Sequence, residues 1–167
     1  MKELNVSDGM KQIACKQEPT RKEDGSSFFN KCLDQALRYL TMREHNRKEL
    51  QVKLSGKGYD STTIGKALDQ LEDEGSLSEE RYVRAFVQSR NRRHPEGKTV
   101  MLQRLLQKGA DRNVAQSVLS DIYTPGYTAE LAEAARAQIL EKTGDANPAQ
   151  LRFLLSKLGF RLSDIQD

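Results

Sequence analysis

Residues 78–110 have the sequence SEERYVRAFVQSRNRRHPEGKTVMLQRLLQKGA. Two amphipathic helical patterns lie in this stretch, separated by His94–Gly97. The second pattern ends in a signature in which two apolar residues and a glycine follow one another at intervals of four positions. The chain contains the signature three times, as Leu50/Leu54/Gly58, Met101/Leu105/Gly109 and Leu151/Leu155/Gly159. Self-similarity at a fixed period of this length indicates tandem structural repeats.

Further helical patterns flank each signature, so the sequence predicts a repeated three-helix unit. The helix after the first signature is expected to bury Ile64, Ala67, Leu68 and Leu71, and Val118, Leu119 and Ile122 follow the second glycine at the same offsets as the last three of these. The helix that starts at Ser78 is expected to bury Tyr82, Ala85 and Phe86, with Val83 as a further candidate. Strict alternation of apolar and polar residues is absent, which argues against strands.

The sequence therefore predicts an all-α fold, an elongated and curved array of three tandem three-helix repeats. The repeats are placed at residues 28–76, 77–125 and 126–167, with Thr124–Gly126 as a linker and the last repeat truncated. Its third helix scarcely begins, which leaves open a short final helix or a chain shorter than the natural protein. Residues 1–27 show no apolar period and are expected to form a disordered, mobile tail.

Composition predicts a soluble intracellular protein. Only 37% of the residues are hydrophobic, and no apolar run reaches the ~18 residues of a membrane span. The polar start of the chain does not resemble a signal peptide. Cys15 and Cys32 lack partners at metal-ligand spacing, which favours a reducing compartment. We expect a cytoplasmic monomer that does not bind membranes.

The sequence offers no pattern typical of catalysis. His45 and His94 stand alone at predicted helix ends and are expected to be solvated. The acidic run Glu72–Glu74 lacks the spacing of a calcium loop and is expected to be a solvated helix end. There is no glycine-rich phosphate loop. We therefore expect neither an enzyme nor a metal or cofactor.

Charge is unevenly distributed. The net charge is +3, but residues 59–80 sum to −6 and residues 81–112 to +7, a segregation that favours binding to a polyanion or an acidic protein surface. The candidate binding residues are Arg81, Arg84, Arg90, Arg92, Arg93, Lys98, Arg104 and Lys108, with a secondary basic patch of Arg47, Lys48, Lys53 and Lys57. Solvated helix faces are the alternative. Cations near a helix start are unfavourable, so Arg81 and Arg84 are the most informative pair.

Three stretches resemble the motifs of the RecX regulatory family. The central one is Leu77–Phe86, followed by Arg90, Gly97, Leu105 and Lys108–Ala110. The first-repeat motif is similar to Ala36–Leu54, and the third-repeat motif to Arg152–Phe160 with Asp164 and Ile165. Together these motifs cover residues 30–165.

The resemblance implies a protein that binds RecA recombinase and its filament on single-stranded DNA. Members of the family lie in the filament groove and damp strand exchange, ATP hydrolysis and the co-protease activity of the SOS response. Two alternatives stay open. One is a helix-turn-helix-like protein that reads duplex DNA with the helix from Lys98 to Lys108. The other is a helical-repeat scaffold for protein interactions.

Overall fold

The computed structural model describes residues 25–144 and 146–164, and within these ranges the regular structure is helical throughout. The α-helices are α1 (Gly25–Met42), α2 (Arg47–Ser55), α3 (Ser61–Asp73), α4 (Glu79–Arg93), α5 (Lys98–Gln107), α6 (Arg112–Ile122), α7 (Pro125–Thr143) and α8 (Pro148–Lys157). A 3-10 turn, Leu162–Asp164, follows α8. The predicted all-α class is confirmed. None of the helices in these ranges is long and apolar enough to cross a bilayer.

The helices pack in consecutive groups. In the first repeat α3 packs against α1 and α2, and in the second α6 packs against α4 and α5. In the third repeat α8 packs against α7, and the 3-10 turn also contacts α7. The third-helix position of this repeat is therefore held, among the described residues, by a single turn. The repeat boundaries and the curved outline stay predictions.

The repeated signature has the same structure in all three copies. Its six apolar residues, Leu50, Leu54, Met101, Leu105, Leu151 and Leu155, are buried. The glycines have φ angles of 90° at Gly58, 86° at Gly109 and 89° at Gly159. Glycine adopts this left-handed conformation without steric cost, which is why it ends each helix. The signature thus marks the same helix end in each repeat.

The core divides into two clusters. Cys32, Ala36, Leu50, Leu54, Ile64 and Leu71 belong to a cluster confined to the first repeat and the segment that leaves it. The other cluster runs continuously from Tyr82 in α4 to Phe160 after α8. The second and third repeats therefore share one core, while the first repeat has its own.

Several predicted details differ from the structure. α1 begins at Gly25, so the last residues of the predicted tail are helical, and residues 1–24 lie outside the described chain. The linker prediction is wrong, because Thr124 caps α7 and Pro125 occupies its first turn, where proline has no hydrogen bond to lose. Ala85 is exposed on α4, whereas the further candidate Val83 is buried, as are Val87 and Asn91, which were not predicted.

Candidate functional site at the repeat junctions

Adjacent repeats meet through the same pair of local structures, the start of a middle helix and the glycine turn of the next repeat. At the first junction, between the first and second repeats, Nδ2 of Asn46 donates to the carbonyl oxygen of Lys108 at 3.1 Å. At the second junction the backbone N–H of Gly97 donates to the carbonyl oxygen of Leu158 at 2.8 Å. Asn46 caps α2 and Gly97 caps α5, so the two junctions are equivalent by position.

The glycines allow this close approach. A Cβ atom on Gly97 would lie 2.2 Å from the carbonyl oxygen of Gly159, and one on Gly109 would lie 2.3 Å from Cδ of Lys48. No described atom lies within 4 Å of the corresponding position at Gly58. The first two contacts are therefore made between repeats, and the glycine turn of the first repeat meets no described neighbour.

Polar side chains hold the first junction. One carboxylate, that of Glu49, faces Nη1 of Arg43 at 3.1 Å, Nδ1 of His45 at 2.9 Å and the hydroxyl of Tyr82 at 3.4 Å. Tyr82 belongs to the second repeat and the other three residues to the first. The hydrogen bond network therefore joins the repeats through α2 and α4.

His45 is buried, 1% exposed, so the prediction of a solvated His45 is wrong. Burial lowers its pKa below the ordinary value, against the opposing effect of the hydrogen bond to Glu49. Burial raises the pKa of Glu49, but the hydrogen bonds and charges of His45 and Arg43 outweigh it and leave that pKa low. The side chain before the α2 cap is thus part of the junction. His94 is exposed, as predicted.

Arg81 is engaged inside the chain. Its Nε donates to Glu44 at 2.9 Å, Nη1 to the carbonyl oxygen of Gly75 at 2.9 Å and Nη2 to that of Ser76 at 2.9 Å. The side chain is still 47% exposed. These acceptors explain why Arg81 lies near a helix start. Its position there is therefore no longer evidence for an external partner.

Arg84 and Arg47 also have internal partners. Nη2 of Arg84 lies 2.8 Å from Glu80, and that of Arg47 lies 2.6 Å from Asp69. These carboxylates are exposed, and exposed ion pairs contribute only ~0–1 kcal/mol. A charged partner can displace such contacts at little cost, so both arginines remain candidate binding residues.

A buried carboxylate organises the second junction. Glu96 is 2% exposed, and its two oxygens accept from Nη2 of Arg90 at 2.8 Å and from Nε of Arg104 at 2.5 Å. Burial raises the pKa of Glu96, but the hydrogen bonds and charges of the two arginines outweigh it, and the pKa falls below the ordinary value. Arg90 and Arg104 therefore compensate a buried charge within the chain.

The backbone around Glu96 is held as well. The hydroxyl of Tyr123 donates to the Glu96 carbonyl oxygen at 2.9 Å and accepts from Nδ2 of Asn91 at 3.0 Å. Asn91 also donates to the hydroxyl of Tyr127 at 3.3 Å, which lies on α7. Burial raises the pKa of Tyr123 to about 12, so its hydroxyl stays protonated and can donate. This network fixes the loop before α5 against the third repeat.

Beside Glu96 lies a cleft of about 440 Å³, which we call the basic cleft. Its polar walls carry Arg90, His94, Glu96, Arg104, Gln138, Lys142 and Lys157, and its apolar residues are Pro95, Ala135, Ile139, Leu154 and Leu158. Of the predicted binding residues, only Arg90 and Arg104 line it. Sequence reasoning missed Lys142 and Lys157, although each is a cation in the last turn of its helix.

A smaller cleft of about 200 Å³ adjoins it. Phe86, Ser89, Arg90, Arg93 and His94 line this cleft, and Arg90 and His94 line both. With Arg90 and Arg104, Arg93 is therefore the third predicted binding residue that lines one of the two clefts.

The other predicted cations are dispersed. Nζ of Lys98 donates to Oγ of Ser120 at 2.9 Å, and Nζ of Lys53 lies 4.6 Å from the centre of the Tyr39 ring. The exposed cations without an ion-pair partner in the described residues include Arg92, Arg93, Lys108, Lys48 and Lys57. These five remain the candidates most available to a partner.

The first junction also has a groove, with a volume of about 550 Å³. It contains basic and acidic side chains together, from Arg47, Lys48, Glu72, Glu79, Asp111 and Arg112. Burial raises the pKa of Glu79, which accepts from the backbone N–H of Asp111 at 3.0 Å. The groove is mixed in charge, and of the predicted binding residues only Arg47 and Lys48, from the secondary basic patch, line it.

The acidic run Glu72–Glu74 does not form a metal site with other side chains of the described residues. Glu72 pairs with Nη1 of Arg47 at 2.5 Å. In the part of the chain that the structure describes, no group of three His, Cys, Asp or Glu side chains could hold a metal ion.

The duplex-reading alternative loses support from the packing of α5. Met101 and Leu105 on this helix are buried, and Arg104 is held by Glu96. Among the Asn, Gln and Arg side chains of this helix, Gln103 and Gln107 are the exposed ones. Recognition helices read bases with several such side chains, so α5 is poorly equipped for that role.

The fold and the junctions define a protein of tandem three-helix repeats with polar and basic surfaces between the repeats. A family model described as "RecX, first three-helix domain" matches residues 32–71, and one described as "RecX, second three-helix domain" matches residues 78–119. The regulatory protein RecX of Chlorobaculum tepidum is 35% identical over 136 residues, which cover 81% of this chain and 84% of that protein. The chain belongs to the RecX family of regulatory proteins.

A further relative matches a smaller part of the chain, and two solved structures match most of it. The regulatory protein RecX of Chlorobium phaeobacteroides is 36% identical over 91 residues, which span 60% of its length and 54% of this chain. The crystal structure of RecX from Lactobacillus salivarius has a TM-score of 0.71 at 22% identity and covers 83% of this chain and 92% of that one. A second RecX crystal structure has a TM-score of 0.73 at 19% identity, covering 84% and 72%. These two structures support the fold.

Proposed function

We propose that this chain binds RecA recombinase and its filament on single-stranded DNA and reduces recombinase, ATPase and co-protease activity. Membership in a family of regulatory proteins supports a regulatory role, and the three motifs in order support the choice of partner. The chain acts by binding, as a non-enzyme in the cytoplasm.

The observation that carries this proposal is that equivalent junctions place exposed cations in successive repeats. Lys48 and the Lys108–Gly109 turn meet at the first junction, and Arg90, Arg93 and Arg104 lie around the second. A filament also presents equivalent surfaces in succession. An array with repeated basic surfaces can therefore contact neighbouring filament subunits or the phosphates between them, as electrostatic complementarity requires.

The structure changes which residues should be tested first. Arg92, Arg93 and Lys108 are exposed and have no ion-pair partner in the described ranges, so changing them alters the surface and leaves internal contacts intact. Arg81 is a poor first choice, because its loss also removes three hydrogen bonds at the first junction.

A binding assay with three immobilised targets tests the proposal. The targets are the recombinase filament on single-stranded DNA, single-stranded DNA alone and duplex DNA alone. Tightest binding to the filament is expected. Arg92→Glu/Arg93→Glu/Lys108→Glu should weaken filament binding by at least about tenfold. The matched control, Arg38→Glu/Lys66→Glu/Arg152→Glu, changes the same charge on α1, α3 and α8 and should have much less effect.

The alternatives give different results. Binding to duplex DNA that exceeds filament binding would support a duplex-DNA protein, and its affinity would fall steeply with salt. Absence of binding to all three targets would support a scaffold for other proteins. Equal losses in the test and control variants would contradict the proposed surface.

A further inference from the structure

The basic cleft lies where the second and third repeats meet. Helices from both repeats border it, since Arg104 lies on α5, Gln138 and Lys142 on α7, and Lys157 on α8. Ala135 and Ile139 provide apolar surface from α7, one turn apart. Pockets of this size with an apolar base and a few charged groups are typical of ligand sites.

The charge of the cleft is only partly balanced inside the chain. Four cations, Arg90, Arg104, Lys142 and Lys157, line the cleft together with a single carboxylate, that of Glu96, and these five groups have a net charge of +3. Glu96 is almost fully enclosed, and Arg90 and Arg104 already occupy its two oxygens. An entering carboxylate would therefore meet four cations and very little exposed negative charge.

Arg90 has unused hydrogen-bonding capacity. Its Nε is buried and has no acceptor in the described residues, and its Nη2 donates to the Glu96 carboxylate. Buried donors are rarely left without a partner. Arginine can also bind two carboxylates at once through its separate edges. Nη1 has no acceptor in the described residues, so Arg90 can hold a second carboxylate at that end while Nη2 keeps Glu96.

We propose that the basic cleft binds a short acidic segment of a protein, with an aliphatic side chain on the apolar base and carboxylates against Arg90, Lys142 and Lys157. The complementarity is of two kinds, since the base fits an apolar side chain and the rim fits negative charge. This inference goes beyond the proposed function, because it names a ligand that the chain would bind by itself, without the recombinase.

A peptide fits this lining better than a nucleic acid strand. Single-stranded nucleic acids are usually held by aromatic side chains on which the bases stack. The lining contains no aromatic ring besides the His94 imidazole, and its apolar residues are aliphatic or proline. Phe153 lies outside the lining, with Nζ of Lys157 4.4 Å from the centre of its ring.

Fluorescence anisotropy with the full chain tests the inference. The probe is a short labelled peptide of alternating Asp, Leu and Glu, and the comparison peptide replaces Asp with Asn and Glu with Gln. The acidic peptide should bind at least about tenfold more tightly than the neutral one. Lys142→Glu/Lys157→Glu should reduce its affinity by at least about tenfold, because two attractions become repulsions. Arg38→Glu/Lys66→Glu, with the same charge change outside the cleft, should change it by less than about threefold.

Two further measurements keep the result decisive. Circular dichroism must show the same helix content for both double variants, and Ile139→Asp supplies a second test because it places a carboxylate on the apolar base. Equal effects of the cleft and control variants, or unchanged affinity in Ile139→Asp, would overturn the inference. A labelled oligothymidylate that binds more tightly than the acidic peptide, with the same sensitivity to Lys142→Glu/Lys157→Glu, would also overturn it and indicate a nucleic acid site.

Discussion

The substitution Gly97→Ala tests the contact that stacks the second and third repeats. Gly97 has φ −71° and ψ 161°, a conformation that alanine adopts without strain. The added methyl group would nevertheless lie 2.2 Å from the carbonyl oxygen and 2.4 Å from the carbonyl carbon of Gly159. These are backbone atoms, so no side-chain rotation relieves the overlap.

The expected cost follows from the distances. Ordinary contact for such a methyl group begins at 3.4 Å, so the backbones must separate by about 1.2 Å (3.4 minus 2.2) or distort locally. That movement breaks the 2.8 Å hydrogen bond from Gly97 to Leu158, which contributes ~0.5–1.5 kcal/mol. Overpacking adds ~1–3 kcal/mol, and alanine is a poorer cap than glycine by ~0.5 kcal/mol. We expect a loss of about 3 kcal/mol.

Urea unfolding followed by circular dichroism measures this loss. Gly126→Ala is the matched control, because Gly126 lies within α7 and no described atom is within 4 Å of its Cβ position. The control should keep or raise the midpoint, since alanine restricts the unfolded chain. A free energy of unfolding for Gly97→Ala within about 0.5 kcal/mol of the unchanged protein would refute the close contact between the repeats.

Three further predictions concern the polar residues of the junctions. Glu96→Gln should lower the free energy of unfolding by about 2 kcal/mol, less than for a fully buried pair because Arg90 and Arg104 are partly exposed. The control Glu141→Gln, on the surface, should leave this free energy unchanged, and equal effects of the two substitutions in urea unfolding would contradict the role of Glu96. Arg81→Ala should lower the free energy of unfolding by about 1–2 kcal/mol, because three hydrogen bonds are lost, and Arg84→Ala should lower it by less than about 0.5 kcal/mol. Thermal unfolding measures both losses, and a larger loss for Arg84→Ala would contradict the prediction. Stability should fall as pH drops below 6.5, because His45 takes up a proton in the unfolded chain while its lowered pKa in the folded chain resists protonation, and it should fall again below pH 4.5 as Glu49 and Glu96 protonate. In His45→Gln the first of these declines should disappear. A flat stability profile between pH 7 and 5 in the unchanged protein would contradict the role assigned to His45.

The repeat signature could be predicted from the sequence because it depends on local structure. A glycine in the left-handed conformation ends a helix wherever it occurs, and the apolar residues four and eight positions before it lie on one helix face. Periodicity alone therefore located Gly58, Gly109 and Gly159 and the core around them. The α4 face was less certain, because two stripes one residue apart, Tyr82/Phe86 and Val83/Val87, fit a helical period almost equally well.

The roles of individual charged residues could not be predicted, because they depend on tertiary contacts and burial, which helical periodicity does not show. Arg81 lies 37 residues from Glu44 in the chain, and Arg104 lies eight from Glu96. A count of charges gives no sign that Glu96 is buried between two arginines, or that His45 is enclosed. Lys142 and Lys157 reach the basic cleft only because α7 and α8 fold back on the second repeat.

The most direct test of the account is the rate of RecA-catalysed ATP hydrolysis on single-stranded DNA, measured with substoichiometric amounts of this chain. The account predicts that hydrolysis falls as the chain is added, and that Arg92→Glu/Arg93→Glu/Lys108→Glu restores it. The control variant Arg38→Glu/Lys66→Glu/Arg152→Glu should still inhibit. An unchanged rate with the folded, unaltered chain, across amounts up to an excess over the recombinase, would contradict the central claim.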